Sequence, residues 1–219
     1  MSTHEHRSVP VEVRAARLEV VSRLADDLAH EIKNPLNAVV INLAVLRTRV
    51  QKGDCQGSVE RADVVEREVL RAHELIDRLL RLVRPAADEP IEQQAAAVLA
   101  DVLPLLALQA RLARVELRVE EPADGETLLA RPATLRAALL ALGGDAITAT
   151  AGAGEDAPLL LRCAAHGAEF GFWVHAPVQD AAGDTAGVLA AAAGGRLEAR
   201  AGEAEATRSR VLLVPRLRA

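Results

Sequence analysis

From Pro10 to about Lys52, apolar residues recur at Val21, Leu24, Leu28, Ile32, Leu36, Val39, Leu43, Leu46 and Val50, always three or four apart. That spacing keeps them on one face of a long helix. Pro10 suits a helix start. Pro35 sits mid-helix, where it removes a backbone donor and should bend the chain just after His30. Two glycines and an aspartate between Gln51 and Gly57 predict a turn. A second helix then runs from about Ser58 to Val83, with Ala62, Val65, Val69, Ala72, Ile76, Leu79 and Val83 alternating by three and four as a heptad seam. Two long helices joined by a short turn make an antiparallel hairpin. One hairpin leaves much apolar surface wet, and two copies packed as a four-helix bundle bury it, so a homodimer is expected.

The pattern breaks at Arg84-Pro85 and Asp88-Glu89-Pro90, and from Ile91 its period changes. Gln93 to Ala113 reads as a helix interrupted by Pro104, Val115 to Glu120 as a strand, Pro122 to Gly125 as a turn, and Thr127 to Ala130 as a short strand. Pro132 opens a helix to about Thr150, followed by a loop from Ala151 to Gly154. Leu159 to Ala164 and Glu169 to His175 pair around His166-Gly167. Asp184 to Ala193 is helical, and Arg196 to Arg200 and Arg208 to Pro215 are the last strands. The expected class is α+β: a disordered tail over residues 1–9, a helical hairpin over 10–86, and an α/β sandwich of three helices on a mixed sheet over 91–219.

Composition narrows the core and the setting. Phe170, Phe172 and Trp173 are the whole complement of Phe, Trp and Tyr, so the core must be built from Ala, Leu and Val. A net charge of −5 gives no general attraction for nucleic acid or an anionic membrane. Cys55 and Cys163 are too few for a disulfide framework or a thiolate metal site, which suits a reducing compartment. The N-terminus is polar through Arg7, and no run of about 18 apolar residues stands out. A soluble cytoplasmic protein with no membrane and no nucleic-acid partner is expected.

The chemistry concentrates on His30, Glu31 and Asn34. His30 lies two residues from both Leu28 and Ile32, about 200° around from each, on the wet side of the helix. Asn34 follows one turn later and shares that face. Glu31 is adjacent and can reach toward the ring. A carboxylate accepting from one ring nitrogen leaves the other nitrogen's lone pair aimed outward, which orients a nucleophilic imidazole. A lone exposed histidine on a helix is most often an ordinary surface residue, and His4, His6, His73 and His166 read that way. His175 ends a strand with no obvious partner. Asn34, standing where a second histidine would be needed, excludes a His-Glu-x-x-His zinc site, and no metal site is expected.

The stretch Leu28-Ala29-His30-Glu31-Ile32-Lys33-Asn34-Pro35-Leu36-Asn37-Ala38 resembles the H-box of sensor histidine kinases, near its consensus form. The order of hairpin, linker and sandwich resembles those kinases from Pro10 onward. The resemblance implies that His30 carries a phosphoryl group as a phosphoramidate, that Glu31 assists its transfer, and that Asn34 holds the position that often aids phosphatase activity. It also implies an ATP site in the sandwich, and there the chain departs from the family. Leu135 to Ala146 aligns with the family's N-box, with Ala141 and Asp145 where its two asparagines should stand. Asp145 keeps a side chain able to hold a metal; Ala141 holds nothing. Ala176-Pro177-Val178-Gln179-Asp180 stands where an Asp-x-Gly-x-Gly motif should follow the strand, and the ATP lid with its glycine-rich phosphate loop is missing before the next helix. Gly152-Ala153-Gly154 follows no strand and opens no helix, so it reads as a connection rather than a phosphate cradle.

The expected function is a histidine phosphotransferase, similar to the dimeric bacterial phosphotransferases that pair a hairpin with a nucleotide-free sandwich. His30 would take a phosphoryl group from the aspartate of one receiver domain, of a response regulator or a hybrid kinase, and pass it to another. No cofactor is required in this chain, because the receiver brings the magnesium. Two alternatives stand beside it: an ATP-dependent sensor-type kinase with a divergent nucleotide pocket, and a pseudokinase or phosphatase scaffold for a response regulator. The receiver is expected to dock around His30, flanked by Ala29 and Leu36.

Overall fold

The computed structural model describes residues 9–83, 89–153, 158–177, 185–201 and 207–217. The described residues within 21–84 form one compact unit, and those within 1–20 and 85–219 form another. All of the expected N-terminal tail except Val9 lies outside the described residues, as do His4, His6 and residues 84–88 of the expected linker.

Helix α1 spans Val11–Gln51 and helix α2 spans Cys55–Val83. α1 runs through Pro35 without a break, although a proline there cannot donate to the Glu31 carbonyl one turn back. The connection is shorter than its composition predicts, because Asp54 caps α2 early. Asp54 Oδ1 accepts from the Gly57 amide at 2.9 Å, and its Oδ2 accepts from Arg49 Nη1 at 3.1 Å. An aspartate at an N-cap supplies the acceptor that the first free amides of a helix lack. Gly53, at φ 74°, makes the left-handed step between the helices.

Side-chain bonds cross the hairpin between described residues. Arg71 Nη2 donates to Glu31 Oε1 at 2.8 Å, and Arg61 Nη1 donates to Asn42 Oδ1 at 3.0 Å. Both pair positions symmetric about the turn, which fixes an antiparallel register. The inward face of α1 carries Leu24, Leu28, Glu31 and Pro35, and that of α2 carries Ala72 and Leu75, all buried. This differs from the predicted stripes. Leu36, Leu43, Val69 and Ile76 belong to those stripes and yet remain 48%, 41%, 48% and 40% exposed.

Helical geometry explains the split. Each residue advances about 100°, so the residue before an inward position and the residue after it lie on opposite flanks. In an antiparallel pair the "before" positions of both helices share one flank, and the "after" positions share the other. Leu36, Leu43, Val69 and Ile76 all follow inward positions and make an apolar flank. His30, Asn34, Arg71 and Glu74 all precede inward positions and make a polar flank.

The second unit contains β1 (Ile91–Gln94), α3 (Ala95–Leu112), β2 (Leu117–Glu120), β3 (Thr127–Ala130), α4 (Pro132–Ala153), β4 (Leu159–His166), β5 (Glu169–Pro177), α5 (Thr185–Ala193), β6 (Arg196–Ala201) and β7 (Thr207–Leu217). The sheet order is β1-β3-β7-β5-β4-β2, with β6 also pairing β7; β2 and β4 are parallel and the other neighbours antiparallel. The three helices and mixed sheet are those the sequence predicts. Phe170, Phe172 and Val174 of β5 face inward with Leu212 and Val214 of β7, because strand side chains alternate between faces.

Three boundaries differ from expectation. Ile91–Gln94 is a strand paired with Thr127–Ala130, so the helix predicted from Gln93 starts at Ala95. The strand predicted from Val115 starts at Leu117, after Arg114 takes a positive φ of 59° at the end of α3. The loop predicted from Ala151 is helical through Ala153. α3 is also apolar enough, by length and composition, to cross a membrane, contrary to the expectation that no such run is present. Val98, Leu99, Val102, Leu105 and Leu106 of α3 are instead buried within its own unit.

Candidate functional site

His30 is exposed on the polar flank of the hairpin, and Asn34 stands exposed one turn further along the same flank. Their helix places them there because Leu28, Glu31 and Pro35 are the residues drawn inward. A ring in that position is open to a partner.

Glu31 turns inward. Its side chain is 8% exposed, and its Oε1 accepts from the Arg71 guanidinium across the hairpin. A buried carboxylate needs such a partner, because desolvation of an unpaired charge is expensive. Periodicity alone counts Glu31 as a polar surface position, and no signal along the chain marks Arg71 as its partner. Leu36 also departs from its expected place beside His30, since it lies on the apolar flank while His30 lies on the polar one. Ala29 is exposed.

The other histidines divide. His73 is exposed and pairs with Asp77 four residues on at 3.3 Å. His166 sets its ring edge-on to Trp173, with centroids 6.0 Å apart. His175 is not partnerless: its Nδ1 lies 2.6 Å from the hydroxyl of buried Ser209 on β7.

In the second unit, the positions where nucleotide chemistry would sit can be tested against ATP and magnesium. Ala141 on α4 is buried, a methyl group in the place of an amide. Asp145, one turn on, faces Arg210 of β7, whose Nη1 lies 3.9 Å from its Oδ2. The register pairs Arg210 with inward-facing Val174, so the guanidinium points to the helix side of the sheet. A cation this close to Asp145 would oppose a metal there by like charge. Ala176 is half-buried near the end of β5, and only residues 178–184 separate β5 from α5. Val178, Gln179 and Asp180 lie outside the described residues. Among the described residues no group of three or more His, Cys, Asp or Glu side chains could hold a metal ion.

Residues 20–88 match the model of the His Kinase A (phospho-acceptor) domain, which includes His30. The chain is 28% identical over 131 residues to sporulation kinase E of Bacillus subtilis (strain 168), a match covering 59% of this chain and 17% of that protein. It is 24% identical over 109 residues to sporulation kinase D of the same organism, covering 50% of this chain and 21% of that protein. The chain thus spans about a fifth of the length of these relatives. Among solved structures, Acinetobacter baumannii histidine kinase AdeS aligns with a TM-score of 0.47 at 12% identity, covering 85% of this chain and 97% of that one. The chain is histidine kinase-like, and its residues 20–88 are similar to a phospho-acceptor domain.

Proposed function

We propose that this chain is a histidine phosphotransferase in which His30 takes a phosphoryl group from the aspartate of one receiver domain and passes it to another. The observation behind the ATP-free form of this reading is the pair of positions on α4: Ala141 offers no ligand, and Asp145 faces Arg210. Transfer between an acyl phosphate and an imidazole needs no nucleotide. The ring nitrogen's lone pair attacks phosphorus in line as the bond to the carboxylate oxygen breaks, and catalysis is mostly positioning. The receiver supplies the magnesium. The apolar flank of the hairpin joins two copies, leaving the polar flank for the receiver. Cys55 as an exposed free thiol suits a reducing cytoplasm.

A second reading, an ATP-dependent histidine kinase, is favoured by the likeness to sporulation kinases E and D. The comparisons weigh on that side more than on the side of a relay; the chemistry of α4 weighs against it. Incubation with γ-labelled ATP and magnesium discriminates. The relay leaves the protein unlabelled, and it labels His30 from a phosphorylated receiver. Self-labelling at His30 from ATP overturns the relay in favour of the kinase. Release of free phosphate from the receiver, with no stable label on His30, points to a phosphatase in which exposed Asn34 orients water.

A further inference from the structure

Arg71 ends against the chain neighbour of the candidate phospho-acceptor. Its Nη2 donates to Glu31 Oε1 at 2.8 Å, and Glu31 adjoins His30 in the chain. The carboxylate is 8% exposed while the arginine side chain is 53% exposed. A cation tied to a buried anion is held at its inner edge and open to solvent at its outer edge. Arg71 precedes inward Ala72 as His30 precedes inward Glu31, so both stand on the polar flank with Asn34. A guanidinium carries five N–H donors in a rigid fork that matches phosphate oxygens, and one bond to Glu31 does not exhaust them.

Resting on the reading of His30 as phospho-acceptor, we propose that Arg71 is a phosphoryl-binding residue of this site. Its guanidinium aligns and neutralises the phosphoryl oxygens as the group moves on to and off His30. In that step the lone pair of a ring nitrogen forms the P–N bond while the P–O bond to the donor carboxylate breaks. The carboxylate leaves with the bonding pair, and the ring sheds its other proton to solvent. Arg71 exchanges no proton, since a guanidinium stays charged. It acts on the negative charge spread over the three phosphoryl oxygens in transit. It also cancels the Glu31 carboxylate, which without it would repel the incoming anion.

Potassium phosphoramidate tests this without a receiver, because it phosphorylates an imidazole directly. The rate of label formation at His30 is measured for the wild type, Arg71→Gln and Arg71→Lys, with His30→Ala defining background. Gln can still donate to Glu31 but carries no charge; Lys keeps the charge. Arg71→Gln should slow the reaction on the order of tenfold, a partly screened version of losing one transition-state donor. Arg71→Lys keeps the charge but not the fork, so it should recover only part of the wild-type rate. A wild-type rate in Arg71→Gln, or a rate in Arg71→Lys as low as in Arg71→Gln, overturns the proposal. If Arg71→Gln does not fold, the wild-type rate in low and high salt decides, and a salt-independent rate overturns it. Failure of the relay reading shows separately, as a wild-type protein that reacts with phosphoramidate but takes nothing from phosphorylated receivers.

Discussion

Replacing Ile76 with aspartate should separate the proposed dimer into single chains. Ile76 sits on the apolar flank with Leu36, Leu43 and Val69, and the four are 40–48% exposed in one chain. Full burial of such a side chain is worth about 1.5–3 kcal/mol, so closing the remaining exposure yields roughly 0.6–1.4 kcal/mol each. Four residues on each of two chains give roughly 5–11 kcal/mol, against an association cost of about 4–15 kcal/mol. The margin is small enough for one position to decide it. Ile76→Asp removes its own share twice and places two carboxylates in the seam, each costing several kcal/mol when desolvated without a partner. Light scattering across a concentration series reads the outcome: the wild type dimeric, Ile76→Asp monomeric, both with helical circular dichroism. Ile41→Asp on the polar flank serves as the control and should leave the dimer intact. The reasoning is refuted if Ile76→Asp remains as dimeric as the wild type, or if Ile41→Asp is the variant that dissociates.

Four further outcomes are expected. Gly195→Ala should destabilise the sheet unit by about 2 kcal/mol or more, because its Cβ would stand 2.3 Å from the Leu213 carbonyl oxygen and only backbone movement relieves that contact; denaturant midpoints measure it. Arg114→Gly should stabilise by about 1 kcal/mol, since Arg114 closes α3 at φ 59°, a conformation that favours glycine; thermal melting should shift upward. Burial pushes the Cys163 thiol up to about 12, so at pH 8 a soluble alkylating reagent should modify exposed Cys55 and spare Cys163 until the chain unfolds. The unfolded thiol ionises first, so the same burial makes stability fall as pH rises from about 9 toward 12.

Much of the architecture was legible because it rests on local rules. The three-and-four spacing of α1 and α2, the Pro132 helix start and the hydrophobic alternation of β4, β5 and β7 are all written within a few residues of where they act. The strand Ile91–Gln94 was not legible: Glu92, Gln93 and Gln94 carry no strand signal, and their pairing with Thr127–Ala130 is a long-range hydrogen-bond ladder. His30 was found through its neighbours in the chain, but the bond between Glu31 and Arg71 joins residues forty apart, and only the folded hairpin brings them together. The heptad stripes were real but ambiguous, because a stripe records which residues avoid water and not which partner covers them. Inward Glu31 and Pro35 displaced Leu36 to the flank, a shift of about 100° that periodicity does not resolve.

The division of the hairpin into two flanks has a consequence for counting. In a dimer closed through Leu36, Leu43, Val69 and Ile76, each His30 points away from the seam, and a twofold axis sends the two histidines outward on opposite sides. Two receivers then occupy one dimer without competing for space. Titration should saturate at one receiver per chain, and a heterodimer of wild-type and His30→Ala chains should turn over at half the rate of the wild-type dimer.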